Sequence, residues 1–333
     1  MHWRSPSRAW HALTAAGLAA SVVLGLPVDR RMTVAPVHGQ RLAGQFSGGS
    51  DGGPGPRTSQ KIEKTADGRR ATYEFQNFTG DRLGASFSIA EKDFSAYNAS
   101  FGYTQAGLDA LKTWKKTAAQ DAFNAAVRKR QSQAQLDAAV AGVEAQYKTK
   151  LKDYLSERGF VIEPGNVVEV DMPGLVRKNA PLIKPLADSF ARAAKEHRYS
   201  STDIVGAALS FAQTAMFYKE PDDVVDGVHN GGLLPPLTSV TYGWGDCDTK
   251  TGVVASVLAN WPESKMVGVS VPGHYLMGIL QVPEKGDNVL EFQGLQYVLL
   301  EPAGPAWLPP GHVGEQTSAL LAGRDGYRIQ PFF

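Results

Sequence analysis

Cysteine is nearly absent. Cys247 is the single cysteine in 333 residues, so no internal disulfide holds the fold and no multi-thiolate structural zinc site can form. An excess of charge of either sign is also missing. The 34 basic side chains face 33 acidic ones, for a formal net charge of +1, so no field draws the chain to nucleic acid or another polyanion, and neither is expected as a partner. No glycine loop of the phosphate-binding kind follows a strand, and no two histidines stand at helical spacing, so neither a cofactor nor a metal is expected. What is present suffices for a sizeable core. Hydrophobic residues make up 43% of the chain and charged ones 20%, the balance of a globular protein of one or two domains.

The N-terminus reads as an export signal. Arg4 and Arg8 precede an apolar run from Ala12 to Leu26, the basic and apolar regions of a secretory peptide. A run of about 15 residues is short for a span of ~20. A cut after Gly39 satisfies the small-residue rule through Val37. Arg30 and Arg31 follow the run closely, and because the cut lies far from it, an uncleaved anchor stays open as a second outcome. Residues 1–39 are therefore assigned to a signal peptide or signal anchor. Residues 40–60 are assigned to a flexible Gly/Pro linker, since Gly44 to Pro56 has almost nothing to bury.

Residues 61–180 form an N-terminal region of strands and long helix. Thr72 to Phe78 and Ser86 to Ile89 alternate apolar and polar residues around a turn at Thr79 to Arg82, and Tyr97, Phe101 and Tyr103 suggest a third strand. Thr104 to Arg158 lacks proline and repeats apolar residues at helical steps, among them Leu108, Ala126, Val143, Leu151 and Leu155. One rod of that length reaches ~80 Å; a break near Gln131 to Gln135 gives a helical hairpin instead, with coiled-coil-like packing. Gly159 supplies the stop. Short strands are expected at Phe160 to Ile162 and Asn166 to Val170, then helices from Leu186 to Arg198 and from Thr202 to Tyr218.

The chemistry-bearing residues lie in the last segment, 181–333. Gly243-Trp244-Gly245-Asp246 precedes Cys247, and Val253, Val254, Val257, Leu258 and Trp261 continue at helical period. With Asp246 as N-cap near Thr249, Cys247 falls on a first helical turn, where free amides favour the nucleophilic thiolate; Asp246 and Asp248 oppose this, so a base is needed. His274, within the apolar run Val269 to Ile279, is the best placed histidine. Glu301 closes the apolar strand Gln296 to Leu300 and is suited to orient an imidazole. Alone, each has an ordinary explanation: a small buried residue, a satisfied core histidine, a charge at a strand end.

Together, Gly245-Asp246-Cys247, Gly273-His274 and Glu301-Pro302 resemble the transglutaminase-like cysteine proteinase superfamily, most closely its bacterial and archaeal members. Phe211 to Tyr218, with Gln213, and Pro235-Pro236-Leu237 match that family's approach to the nucleophile less closely. Pro302 stands where the family has threonine, and Leu276 where an aromatic is often seen. The resemblance covers roughly residues 181–315. It implies an α+β fold in which a papain/transglutaminase-like core, a nucleophile helix on an antiparallel sheet, follows the N-terminal region. It also implies a Cys247–His274–Glu301 triad acting on amide bonds of a peptide or protein through a thioester, as protease, amidase or transamidase. Gln213 would donate to the oxyanion, while Trp244 and Tyr242 either line the cleft or pack against the helix. The competing expectation is a catalytically inactive binding or scaffold module whose helical tract engages a partner.

Overall fold

The computed structural model describes residues 56–323 and 326–332. The expected signal segment and residues 40–55 of the linker lie outside the described residues. The fold is mixed α and β, with its largest sheet antiparallel.

Strands β1 (Ser59–Lys64), β2 (Gly68–Gln76) and β3 (Arg82–Ala90) form an antiparallel meander. Its alternation buries Ala71, Tyr73 and Phe75 on β2 and Leu83, Ala85 and Phe87 on β3. Asn77 tightens the turn between them, its Oδ1 accepting from the amides of Thr79 and Asp81. Two expectations are corrected. The third strand lies upstream and takes in Ser59 and Gln60, which had been assigned to the linker. Tyr97 is instead in helix α1 (Glu91–Ala99), whose first turn carries Glu91 and Asp93, acids that favour a helix N-terminus, while Tyr103 is in a short strand, Tyr103–Thr104, paired with Val228–His229.

The long tract is a hairpin of α2 (Gln105–Arg128) and α3 (Gln133–Glu157). The break is a capping box: Ser132 accepts from the Gln135 amide and the Gln135 side chain accepts from the Ser132 amide. Leu108, Ala126, Val143, Leu151 and Leu155 are buried on these helices, and the Lys115–Glu144 ion pair at 2.6 Å joins the two. Strands β4 (Phe160–Glu163) and β5 (Val167–Val170) then pair around Pro164-Gly165-Asn166, where Gly165 and Asn166 take positive φ.

Helices α4 (Met172–Asn179), α5 (Lys184–His197) and α6 (Ser201–Ser210) follow, and α6 runs into a single π turn, Phe211–Ala215. The helix expected to continue to Tyr218 ends here. Thr214 Oγ1 donates back to the Ser210 carbonyl at 2.7 Å, a bond that distorts helices, and Phe217–Tyr218 is extended, pairing in parallel with Trp244–Gly245.

After α7 (Pro236–Tyr242) comes α8 (Cys247–Leu258), all twelve of whose residues are buried. It packs on the five-stranded antiparallel sheet made of β6 (Met266–Val271), β7 (His274–Leu280), β8 (Val289–Phe292), β9 (Leu295–Leu300) and β10 (Arg328–Pro331), in the order β8-β9-β7-β6-β10. The single strand expected through His274 is thus two strands. Pro272 has no amide for a ladder and Gly273 turns the chain at φ +73°. Helix α9 (Glu315–Leu321) packs through Leu320 and Leu321 on a second apolar cluster, formed with Val269, Leu276 and Leu299.

One core joins most of these pieces. The Phe211 ring meets Tyr73, Phe75 and Phe190 at centroid distances of 4.9, 5.6 and 5.7 Å. Residues on either side of position 180 contribute to this core.

Candidate active site

The site begins with a turn only glycine permits. A Cβ on Gly245 would lie 2.2 Å from the Thr249 methyl. Asp246 caps α8, its Oδ1 accepting from the Thr249 amide at 3.3 Å, and Cys247 is the first helical residue. The backbone amide of Tyr275, next to His274, favours the thiolate form of the sulfur. Thr251 Oγ1, which donates to the Cys247 carbonyl at 2.7 Å, also lies 3.4 Å from the Tyr275 carbonyl. The start of α8 is therefore tied to the start of β7.

His274 Nε2 lies 2.7 Å from Glu301 Oε1. The other carboxylate oxygen, Oε2, accepts from Thr317 Oγ1 on α9 at 2.6 Å. With Nε2–H committed to a carboxylate, the ring's basic lone pair is on Nδ1. All three expected triad residues are buried: Cys247 retains 6% of its exposure, His274 2% and Glu301 1%.

The sulfur's surroundings hold it as a neutral thiol. Burial pushes its pKa well above the usual range, and the neighbouring carboxyls of Asp248 and Asp246 push in the same direction. The expected gain from the helix N-terminus is outweighed, because two acids share that same first turn. Asp248 is itself forced up by burial and by Asp246, with which its carboxyl interacts side chain to side chain.

Gln213 does something other than expected. Its Nε2 donates to the carbonyls of Glu301 at 2.9 Å and Leu308 at 3.0 Å, and its Oε1 accepts from the Leu308 amide at 3.0 Å. Both amide hydrogens are used, so in this arrangement Gln213 clamps the loop after β9 and has no donor left for an oxyanion. Gly304 allows the close approach, since a Cβ there would fall 2.1 Å from the Gln213 carbonyl oxygen.

The two aromatic candidates stack on each other, 6.4 Å between ring centres and 8° between ring planes, but have different neighbours. Tyr242 packs edge-on to Phe94 at 5.5 Å, with Arg69 over its ring, which makes it part of the contact with α1. Trp244 is half-buried, with the Lys219 ammonium 4.5 Å from its ring centre and the exposed Phe217 opposite it in the parallel pairing.

Sequence reasoning passed over three groups. Lys250, one turn along α8, is fully buried and donates from Nζ to the Met216 carbonyl at 2.9 Å. Its signal was partly legible, a lysine on a helix whose later turns carry Val253, Val254, Val257 and Leu258. Tyr218 has its hydroxyl pKa raised by burial and by the charges of Cys247 and Asp246. Thr317 gave no local signal, because only the docking of α9 brings it to Glu301. Among the described residues, Asp246, Cys247 and Asp248 are the one group gathering three metal-ligand atoms, all within 4.8 Å. The ammonium of Lys250 beside them opposes a second cation. A cavity of 250 Å³ lined by Phe78, Asp203, Asp287 and His312 shares no residue with this site.

No family model matches the chain, and no curated protein or solved structure is significantly similar to it.

Proposed function

We propose that this is an exported thiol enzyme with a papain/transglutaminase-like core that acts on amide bonds of peptides or proteins through Cys247, His274 and Glu301. The observation that carries this reading is the buried 2.7 Å contact between His274 and Glu301, on paired strands, with the Tyr275 amide beside His274 favouring the Cys247 thiolate. A nucleophile, a base and an orienter supplied in this way form the constellation of covalent acyl transfer. Because the sulfur rests as a thiol, His274 acts as a general base during attack. Nδ1 takes the proton as sulfur adds to the carbonyl carbon, and Glu301 balances the imidazolium. The same proton passes to the departing amine as the C–N bond breaks, leaving a thioester. Water then yields the acid, or an amine yields a new amide. Attachment to a membrane through an uncleaved N-terminal segment is compatible with this reading.

A second reading has its own support. The depth of the sulfur, its raised pKa and the engaged amide of Gln213 favour a module that keeps the constellation without turnover. The two readings separate on alkylation of the lone thiol by iodoacetamide across pH. For the enzyme, labelling at pH 7 should fall at least tenfold in His274→Ala. Labelling confined to alkaline pH and indifferent to that substitution would rule the enzyme out.

A further inference from the structure

The turn between α2 and α3 carries three cations in a row, Arg128, Lys129 and Arg130. Leu108, Leu151 and Leu155 at the base of the hairpin belong to the main core, whereas the buried Ala119, Ala126 and Val143 farther out do not. From Leu108 to Arg128 the helix rises ~30 Å, and every residue from Val127 to Gln135 is exposed. The turn is thus an apex standing off the core. Among the described residues none of the three cations forms an ion pair or a side-chain hydrogen bond. Lys112, Lys115 and Lys150, lower on the hairpin, are held by Asp109, Glu144 and the Trp114 ring. The nearest acids in sequence, Asp121 and Asp137, lie one to two turns down their helices, ~6–10 Å along the axis, about a screening length at physiological ionic strength. The apex therefore presents its own positive field, although the whole chain has a net charge of only +1.

Val127 stands beside the three cations with 58% of its surface exposed, and Phe123 lies one turn below it on the same face, half-buried. Cations beside an exposed apolar side chain suit the boundary of an anionic bilayer. There the apolar group enters the acyl region while the charges stay with the phosphates. A duplex nucleic acid offers phosphates but no apolar layer for Val127. We propose that the apex of the hairpin docks on an anionic membrane surface through Arg128, Lys129, Arg130 and Val127. The capping box of Ser132 and Gln135 already fixes the turn, so docking loses little backbone freedom. This inference goes beyond the thiol-enzyme reading and does not depend on it.

The test sediments the full chain with vesicles of phosphatidylcholine alone or with about one third phosphatidylglycerol. The apolar run from Ala12 to Leu26 can bind either vesicle, so the readout is the gain that the anionic lipid gives. Each basic residue near such a surface contributes about fivefold. The gain should therefore exceed about tenfold and collapse in about 0.5 M salt. Arg128→Gln, Lys129→Gln and Arg130→Gln combined should remove most of it, and Val127→Ser should weaken binding severalfold. Lys116→Gln, Lys148→Gln and Lys152→Gln combined remove the same charge lower on the hairpin and should leave the gain within about twofold. Circular dichroism checks that each variant is folded. Should a triple variant unfold, the single changes decide, each apex change lowering the gain about fivefold. No gain from anionic lipid, a folded apex or Val127 variant that binds like the parent, or an equal loss from the lower-hairpin changes overturns the proposal. Apex-dependent binding to duplex DNA without any gain on vesicles overturns it too.

Discussion

The side-chain amide of Gln213 and the backbone carbonyl of Glu301 are 2.9 Å apart, joining the π turn to the end of β9. Gln213 also makes two bonds to Leu308. The residue that sequence pattern offers as an oxyanion donor thus holds in place the chain that carries the acid. Gln213→Ala leaves two carbonyls and one amide without their partner in a buried place. It should destabilise the fold by about 2–4 kcal/mol, read as a lower urea midpoint. An oxyanion donor would instead lose rate with stability unchanged.

Thr317 gives a second, independent test of how Glu301 is held. Thr317→Val keeps the shape and removes the donor at 2.6 Å from Oε2. Leaving a buried carboxylate oxygen unsatisfied costs about 1–3 kcal/mol. The same variant should reduce His274-dependent labelling of Cys247, and Thr317→Ser should restore both. Loss of stability with labelling unaffected would separate Thr317 from the site.

Stability should decline as pH rises above about 4. The carboxyls of Asp246 and Asp248 are both raised by burial, so the folded chain keeps protons that the unfolded chain releases near its ordinary ~3.9. In the window between that value and the raised folded pKa, each such group removes about 1.4 kcal/mol per pH unit. Asp248→Asn should flatten this slope and be more stable than the parent at pH 7, as measured by urea unfolding from pH 4.5 to 8. Lys250 acts in the opposite direction. Its folded pKa near 7 lies below the unfolded value, so its contribution to stability rises with pH from about 7 towards 10.5.

The helical hairpin offers a test away from the site. Gly142 lies inside α3, and an added Cβ would meet nothing within 4 Å. Gly142→Ala should raise stability by about 1 kcal/mol. Leu155→Ala, which empties a fully buried position, should cost about 2–5 kcal/mol. Thermal unfolding measures both.

Local pattern determined a good deal of this protein. The alternation around Asn77, the Ser132–Gln135 break, the Pro164-Gly165 turn and the Asp246 cap were all legible, because each depends on residues within a few positions of one another. The convergence of His274 and Glu301 was expected from the family resemblance, and it is the pairing of their strands that brings them together. Tertiary structure decided the rest. Gln213 changed from donor to clamp because the loop after β9 returns to the π turn. Thr317 joined Glu301 because α9 docks on the sheet. Cys247 rests as a thiol because α8 is buried on every side, and desolvation of the sulfur, together with two adjacent acids, outweighs what a helix terminus alone would favour. Burial and long-range hydrogen bonding depend on what the chain brings alongside, and no stretch of sequence holds that information by itself.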